Sequence, residues 1–409
     1  MQPVVTDRPY EFVPPHYGKL WPWLLRFVLP GRLRKAFGVT AVEFRNSERL
    51  DSLLRDGHSV LLAPNHCRMA DPLVMGMLSR HVRQHFFIMA SSHLFYQGRL
   101  LAWLVRRAGG FSVYREGVDR DAVKAAVDIL THGHRPLVVF PEGSLSHSND
   151  RLSALMAGVP FIARAAAKKR AKSGSDGKRV VVLPTAIKYL FKGDLSSEIE
   201  PILEEIEARL SWRKQRGLSL LNRVYRLGGS LLTLKEMEFF GESGSGDLTS
   251  RLQRLIDHLL QPLEEQWVGG RAEGSVIHRV KNLRKAILPA MIEGDLSQDE
   301  WQSRSDQLAD MYLAQQLSLY PPKYIASSPT VDRLLETVDK FLENLTGEER
   351  PHPPITAVVQ VGEAIDVDPR TRRGQDGDSL LAAIEGQLGK MLSELASESR
   401  LHEECGPNT

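Results

Sequence analysis

A histidine and an aspartate close together in the sequence give the first indication of chemistry. His66 and Asp71 lie in the stretch Pro64-Asn-His-Cys-Arg-Met-Ala-Asp-Pro72, between an apolar run and the start of a helical pattern. An aspartate that accepts a hydrogen bond from one imidazole nitrogen fixes the tautomer of the ring. The second nitrogen can then take a proton from an alcohol that attacks a carbonyl carbon. A turn from a strand into a helix would bring the two side chains together, at the sheet edge where open α/β folds place ligands.

The pair alone does not establish a site, because an Asp-Pro sequence also begins helices that have no catalytic role. Three further motifs strengthen it, since each combines polar residues or proline with an apolar run that predicts a strand. They are Gly109-Gly-Phe-Ser-Val-Tyr-Arg115, Phe140-Pro-Glu-Gly-Ser144 and Val182-Leu-Pro-Thr185.

Short apolar runs alternate with amphipathic stretches through the first half of the chain. This alternation predicts an α/β fold in which a central mixed sheet is flanked by helices. The predicted strands are 39–44, 59–63, 85–89, 111–114, 136–140 and 179–186, and the predicted helices between them are 72–80, 94–107, 120–131 and 153–172.

The second half of the chain has a different pattern, which is helical from about 192 to 350. A polar, proline-rich connector at 346–354 then leads to a clear strand at 355–361. A lone strand is not stable by itself, so we expect it to return to the sheet of the first half. Residues 192–354 then form a large helical insertion before the last strand. The predicted organisation is an N-terminal membrane-surface segment (1–37), an α/β core (38–191), the insertion, a return strand with a C-terminal helix (355–398) and a polar tail (399–409).

In order and spacing, the motifs resemble those of the glycerolipid acyltransferase family, of the lysophosphatidic acid (1-acylglycerol-3-phosphate) acyltransferase type. That family carries a His-x-x-x-x-Asp block, a Gly-x-x-x-x-x-Arg block, a Phe-Pro-Glu-Gly block and a later block centred on proline. All of them occur here in the same order. The resemblance covers about 38–191 and resumes at 355–367, whereas 192–354 shows no match.

The resemblance implies a role for each matching residue. His66 would be the general base that deprotonates the acceptor hydroxyl, and Asp71 would orient it. Arg115 would hold the acceptor phosphate, as the planar guanidinium suits phosphate geometry. The remaining positions would contribute to substrate binding, with the acceptor at the Phe-Pro-Glu-Gly block and the acyl chain at the proline: Asn65, Glu142, Gly143, Ser144 and Pro184.

The sequence departs from the family pattern at two positions. Tyr114 precedes Arg115 where family members often carry Asp or Arg. After Glu142-Gly143 the family usually continues Thr-Arg-Ser, and here the residues are Ser144-Leu-Ser146. An expected cation is therefore missing, and Arg68 and Arg151 are the candidates to replace it. These departures leave the identity of the acceptor more open than the type of reaction.

Composition excludes several classes of protein. Hydrophobic residues make up 42% and charged residues 25%, as in globular proteins, so the chain is neither disordered nor a membrane bundle. The net charge of +3 does not favour nucleic-acid binding. Two cysteines, Cys67 and Cys405, provide neither a disulfide framework nor a Cys-rich zinc site and favour a reducing, cytoplasmic setting.

Two other groups of residues favour structural roles over chemical ones. We expect Cys67 to be a small buried thiol and not a nucleophile. His132-Gly-His134 has no carboxylate or cysteine nearby in the sequence, so we expect a polar turn there. The sequence predicts no metal and no resident cofactor.

An aromatic and aliphatic stretch near the N-terminus suits a membrane surface. Trp21, Trp23 and Phe27 lie in it, and Arg32 and Arg34 follow, a combination in which apolar groups enter the lipid and cations meet acidic headgroups. The stretch is too short to span a bilayer. Packing of these side chains on the domain is the alternative. We expect a cytoplasmic protein, peripheral on the inner face of the membrane.

The sequence thus predicts transfer of a fatty acyl group from acyl-CoA or acyl carrier protein to the hydroxyl of a lysolipid or glycerol phosphate. Two alternatives remain open. A thioesterase or esterase would use the same His66–Asp71 pair to activate water. A catalytically silent lipid-binding protein would keep the site without turnover.

Overall fold

The computed structural model describes residues 9–402 except 118, 134, 174–177, 211, 214, 216, 295, 321–322, 348–349 and 371–377. His134, Cys405 and residues 403–409 of the predicted tail therefore lie outside the described residues. In the described chain the α-helices are α1 (Leu20–Leu25), α2 (Leu29–Phe37), α3 (Ser47–Arg55), α4 (Asp71–His81), α5 (Arg99–Arg107), α6 (Arg120–His132), α7 (Gly158–Lys172), α8 (Leu195–Arg209), α9 (Leu220–Phe240), α10 (Leu248–Val268), α11 (Val276–Glu293), α12 (Gln298–Ser318), α13 (Lys323–Ala326), α14 (Val331–Thr346) and α15 (Ser379–Ala396).

The strands form one mixed sheet, which confirms the predicted fold class. They are β1 (Val39–Arg45), β2 (Ser59–Pro64), β3 (Phe87–Ser91), β4 (Gly110–Val113), β5 (Leu137–Val138), β6 (Val180–Phe191), β7 (Ile355–Val361) and β8 (Ile365–Asp366). Their order is β1-β7-β6-β2-β5-β3-β4, with β8 paired to β6. The five strands from β6 to β4 are parallel, whereas β7 and β8 run antiparallel to β6. The last long strand therefore lies inside the sheet and attaches β1 to it.

Hydrophobic side chains cover both faces of the sheet, because successive residues of a strand point to opposite sides. On β6, Ile187 and Tyr189 belong to a core formed with α4, α8 and α14. Ala186 and Leu190 face a second core formed with α6, α7 and α15. The sheet is thus buried on both sides, as its continuous apolar strands predict.

The segment between β6 and β7 contains two kinds of helix packing. Helices α8 and α14 and the first half of α9 join the core on one face of the sheet. Helices α10, α11 and α12 and the end of α9 share a separate hydrophobic core. Only the second group is remote from the sheet, a division that the uniform helical pattern of the sequence did not reveal.

The three largest differences between the observed and predicted element boundaries have identifiable reasons. Helix α5 begins at Arg99 because a short 3-10 helix, Ser92–Phe95, and Gly98 at φ 140° precede it. Helix α7 begins at Gly158 because the chain before it hydrogen-bonds to the Phe-Pro-Glu-Gly motif, including Met156 N–H to Pro141 O at 2.7 Å. Strand β6 continues to Phe191 because Thr185–Phe191 pairs with β7.

No helix among the described residues is long and apolar enough to cross a membrane.

A buried lysine connects the sheet to the helical segment. Lys188 of β6 is fully buried and pairs with Asp150, and its Nζ lies 3.6 Å from a carboxylate oxygen of Asp332 on α14. Asp332 also accepts hydrogen bonds from Phe191 N–H (2.7 Å) and from the Ser399 hydroxyl (2.6 Å). Arg333 donates to Asp150 at 2.8 Å, so the network satisfies both buried carboxylates.

We expect Lys188→Met to destabilise the protein by about 3–5 kcal/mol, because it leaves buried carboxylates without their cation. Adding Asp332→Asn should restore part of the loss, since the amide can still accept from Phe191 N–H and carries no charge. Urea unfolding of the wild type and of the single and double variants measures both effects. A single variant as stable as the wild type would contradict the role of the network.

Candidate active site

The loop between β2 and α4 brings His66 and Asp71 together. His66 Nδ1 lies 2.8 Å from Asp71 Oδ2. The same oxygen accepts a hydrogen bond from Arg68 N–H at 3.0 Å, which closes the turn. Asp71 is the first residue of α4, and Ala70 occupies the N-cap position. The carboxylate therefore holds the turn and the imidazole, and is not a simple N-cap.

Tyr189 is a second partner of Asp71 that the sequence analysis did not identify. Its hydroxyl donates to Asp71 Oδ1 at 2.6 Å. Burial, followed by the charge of Asp71, raises the pKa of Tyr189 well above its usual value, so the hydroxyl keeps its proton and acts as a donor. Asp71 is completely buried, whereas the His66 side chain is 18% exposed. The pair is thus anchored from the protein interior and open on the imidazole side.

Glu142 fixes the backbone on which His66 is carried. Its carboxylate accepts hydrogen bonds from His66 N–H (2.6 Å) and from Ser153 N–H (2.8 Å). Burial raises the pKa of Glu142 to about 7, against these hydrogen bonds, which lower it. The ring of Phe140 stacks on the His66 ring with centroids 4.2 Å apart. The Phe-Pro-Glu-Gly motif therefore acts largely as a support for the histidine loop.

Arg115 lies against the same motif. Its Nη1 donates to Gly143 O at 2.8 Å, and Gly143 has a φ of 69°, a conformation that favours glycine. The next residue, Glu116, pairs with Arg284 of α11 at 3.4 Å. A helix far away in the sequence therefore reaches the Arg115 loop.

Cations of α11 lie close enough to Arg115 to contribute to a lowering of its pKa. Burial lowers the pKa of Arg115, and Arg284 acts in the same direction. Burial, followed by Lys285, also lowers the pKa of Lys281, and Arg115 adds to the effect. Within the described part of the chain, Arg284 Nε is buried without a hydrogen-bond partner. No motif in the sequence pointed to this cluster, because α11 lies in the segment without family resemblance.

The other candidate binding residues occupy different positions. Asn65 is buried and exchanges hydrogen bonds with the backbone of Ile187, which joins the loop to β6. Ser144 is buried, and its Oγ has no hydrogen-bond partner among the described residues. Pro184 lies inside β6 opposite Ala63, at the point where β6 changes its antiparallel partner from β8 to β7.

The two arginines considered as replacement cations lie in unlike surroundings. Arg68 is directed inward, with its guanidinium 5.2 Å from the centroid of the Tyr189 ring and close to the charges of Glu336 and Asp339. Arg151 is exposed. Neither arrangement resembles the cluster formed by Arg115 and α11.

Cys67 and His132 have surroundings typical of structural residues. Cys67 is buried, and burial raises the pKa of its thiol well above the usual value, so it is not a ready nucleophile. His132 Nδ1 lies 2.7 Å from Asp128 O at the end of α6. The described residues contain no group of three or more His, Cys, Asp or Glu side chains arranged to hold a metal ion.

Comparisons with known proteins find similarity in the part of the chain that contains this site. Residues 41–188 match the family model described as Acyltransferase. The 1-acyl-sn-glycerol-3-phosphate acyltransferase of Streptococcus pneumoniae is 32% identical over 107 residues, which cover 26% of this chain and 38% of that protein. The chain thus spans less than half the length of this curated relative.

Residues 41–188, which include the His66–Asp71 turn, thus match an acyltransferase family model. The resemblance drawn from the motifs is confirmed by this match and by the similarity to the Streptococcus pneumoniae protein.

Proposed function

We propose that the protein transfers a fatty acyl group from a thioester, acyl-CoA or acyl carrier protein, to the hydroxyl of a lysolipid or glycerol phosphate. The geometry of His66 supports this proposal most directly. Nδ1 of His66 lies 2.8 Å from Asp71 Oδ2. The imidazole side chain is partly exposed, whereas the Asp71 side chain is buried. In the tautomer that donates from Nδ1 to the carboxylate, Nε2 is the basic nitrogen available to a substrate hydroxyl.

The reaction follows from this arrangement in two steps. Nε2 of His66 takes the hydroxyl proton as the acceptor oxygen bonds to the thioester carbonyl carbon. The tetrahedral intermediate then collapses, the carbon–sulfur bond breaks, and the proton on Nε2 passes to the leaving sulfur. Asp71 holds the imidazole in position and stabilises its charged form, and Tyr189 fixes Asp71. No resident cofactor or metal takes part in these steps.

The cluster of Arg115 and α11 would bind the phosphate of the acceptor. Arg115 contacts Gly143 next to the histidine loop, and Arg284 and Lys281 add positive charge there. Guanidinium groups bind phosphate in a bidentate geometry. Arg284 and Lys281 would thus supply the cation that is missing after Glu142-Gly143, in place of Arg68 or Arg151.

An exposed apolar surface supports attachment to a membrane. It comprises exposed side chains of α1, α5 and the turn after α1: Leu20, Trp23, Leu24, Phe27, Val28, Leu100, Leu101 and Trp103. Trp21 packs on Trp103 with ring centroids 4.6 Å apart, which joins the two helices. Arg32, Arg34 and Lys35 are exposed on α2 and suit acidic headgroups. Attachment to the inner face of a cellular membrane stays a prediction.

We expect His66→Ala to lower the rate of acyl transfer by about a hundredfold to ten-thousandfold, the contribution of a general base. Purified protein is incubated with mixed thioester donors and a lysolipid panel, and products are identified by mass spectrometry. His81→Ala, which removes an exposed histidine of α4, should keep the wild-type rate. Wild-type transfer by His66→Ala would contradict the mechanism, free fatty acid as the sole product would favour a hydrolase, and tight lipid binding without turnover would favour a silent binding protein.

We expect Arg284→Gln and Lys281→Gln each to raise KM for a phosphate-bearing acceptor about tenfold, with a smaller effect on kcat, because each removes a charge-assisted contact. Lys390→Gln, which neutralises a lysine of α15 with a 79% exposed side chain, is the matched control. Steady-state kinetics with acceptor varied at saturating donor measure the effect. An unchanged KM in a variant that combines Arg284→Gln with Lys281→Gln would rule out a phosphate contact from α11.

We expect Phe27→Glu with Leu100→Glu to weaken co-sedimentation with acidic liposomes about tenfold or more, because two side chains no longer enter the lipid. Val268→Glu with Leu401→Glu changes exposed apolar residues elsewhere and should leave binding unchanged. Equal sedimentation of both double variants would show that α1 and α5 do not contact the membrane.

A further inference from the structure

A large apolar cavity lies inside the segment between β6 and β7. It has a volume of about 700 Å³ and is walled mainly by α9, α10, α12 and α14. Its lining includes Tyr225, Leu231, Leu252, Leu313 and Phe341. The volume falls within the range of sites that bind small molecules, and the lining is of the apolar kind that such sites share.

The cavity arises where the two groups of helices meet. Phe341 of α14 belongs to the core against the sheet, whereas Leu232 of α9 belongs to the core shared by α10, α11 and α12. Gly228 of α9 faces Phe341, and a Cβ at this position would lie 3.1 Å from Phe341 Cζ. The described lining residues Leu234 and Leu345 are exposed, so the cavity also reaches the protein surface.

Polar residues at one part of the cavity also border a recess beside the loop that carries His66. His147, Lys340 and Glu343 line the cavity and also a small recess of about 80 Å³ that Cys67 and Met69 border. These two residues belong to the loop that carries His66.

Two further observations place this part of the cavity near His66. Ser146 N–H, next to His147 in the chain, donates to His66 O at 2.8 Å. Burial lowers the pKa of His147 to about 3, and the charges of Lys340 and His66 act in the same direction. His147 is therefore a neutral group between the catalytic loop and the cavity.

We propose that this cavity binds the aliphatic chain of an acyl substrate, with the polar end of that molecule directed toward His147 and the His66 loop. The proposal rests on the proposed acyltransferase function, and it gives the helical segment, which lies outside the family match, a part in selecting the chain. Two sources share this chemistry, the acyl chain of the thioester donor and that of a lysolipid acceptor.

Direct binding tests the cavity without turnover. The probe is cis-parinaric acid, a linear fatty acid whose fluorescence rises in apolar surroundings, titrated into full-length protein that carries His66→Ala. Leu231→Trp on α9 and Leu313→Trp on α12 each place a larger side chain in the cavity, and we expect each to weaken binding about tenfold or more, since several methylenes lose their contacts. Met237→Trp, on an exposed position of α9 that does not line the cavity, should bind like the parent.

Kinetics with substrates of increasing acyl-chain length show whether the donor or the acceptor supplies the acyl chain that the cavity binds. These measurements use protein with an intact His66. Within the length that the cavity holds, each added methylene should lower KM about fourfold, and Leu231→Trp should abolish this trend. Loss of the trend with donors of increasing length assigns the cavity to the donor, and loss with lysolipids assigns it to the acceptor; either result supports the proposal.

Equal binding by the parent, both filled variants and Met237→Trp, or no binding by the parent, would overturn the proposal. The filled variants lie on different helices, α9 and α12, so a folding defect in one, detected by thermal unfolding, leaves the other to decide. Failure of the proposed function is distinguishable, because the wild-type protein would then form no acylated acceptor, whatever the probe shows.

Discussion

The buried cation of Lys188 constrains the rest of the molecule. It lies on β6 between Asp150, which follows the Phe-Pro-Glu-Gly loop, and Asp332, which begins α14. A fully buried charge is tolerated only when opposite charges and hydrogen bonds compensate it. The sheet, the loop after the motif and the helical segment must therefore occupy fixed positions relative to one another for this strand to be buried.

Tyr189, the residue after Lys188 on β6, links this strand to the candidate site. Tyr189 holds Asp71, Asp71 holds the His66 imidazole, and Glu142 holds the backbone of His66. Each group in this sequence of contacts is buried except the imidazole, which is partly exposed. In the proposed mechanism, preorganisation of this kind would let His66 meet the substrate while the groups that hold it stay in place.

Sequence patterns predicted the elements and motifs that are local in the chain. The turn from β2 into α4 and the return of β7 followed from apolar runs and turn residues, because such signals depend on a few neighbouring positions. Tyr189 and Arg284 could not be found in this way. Each meets its partner across more than a hundred residues of chain, and tyrosine and arginine occur in so many settings that residue type alone identifies neither of them.

The position of β7 explains how one domain can accommodate so long a helical segment. Since β7 lies between β1 and β6, the chain must leave the sheet after Phe191 and return beside the strand it left. Helices α8 and α14 lie at the start and the end of the segment between β6 and β7, and they pack on each other and on the sheet. The helices between them, α10, α11 and α12, are therefore held over one side of the domain. That placement lets α11 reach the Arg115 loop while the cavity opens behind His147. The same helical segment thus supplies positive charge near Arg115 and apolar volume near His147, which match the phosphate and the acyl chain of the proposed substrates.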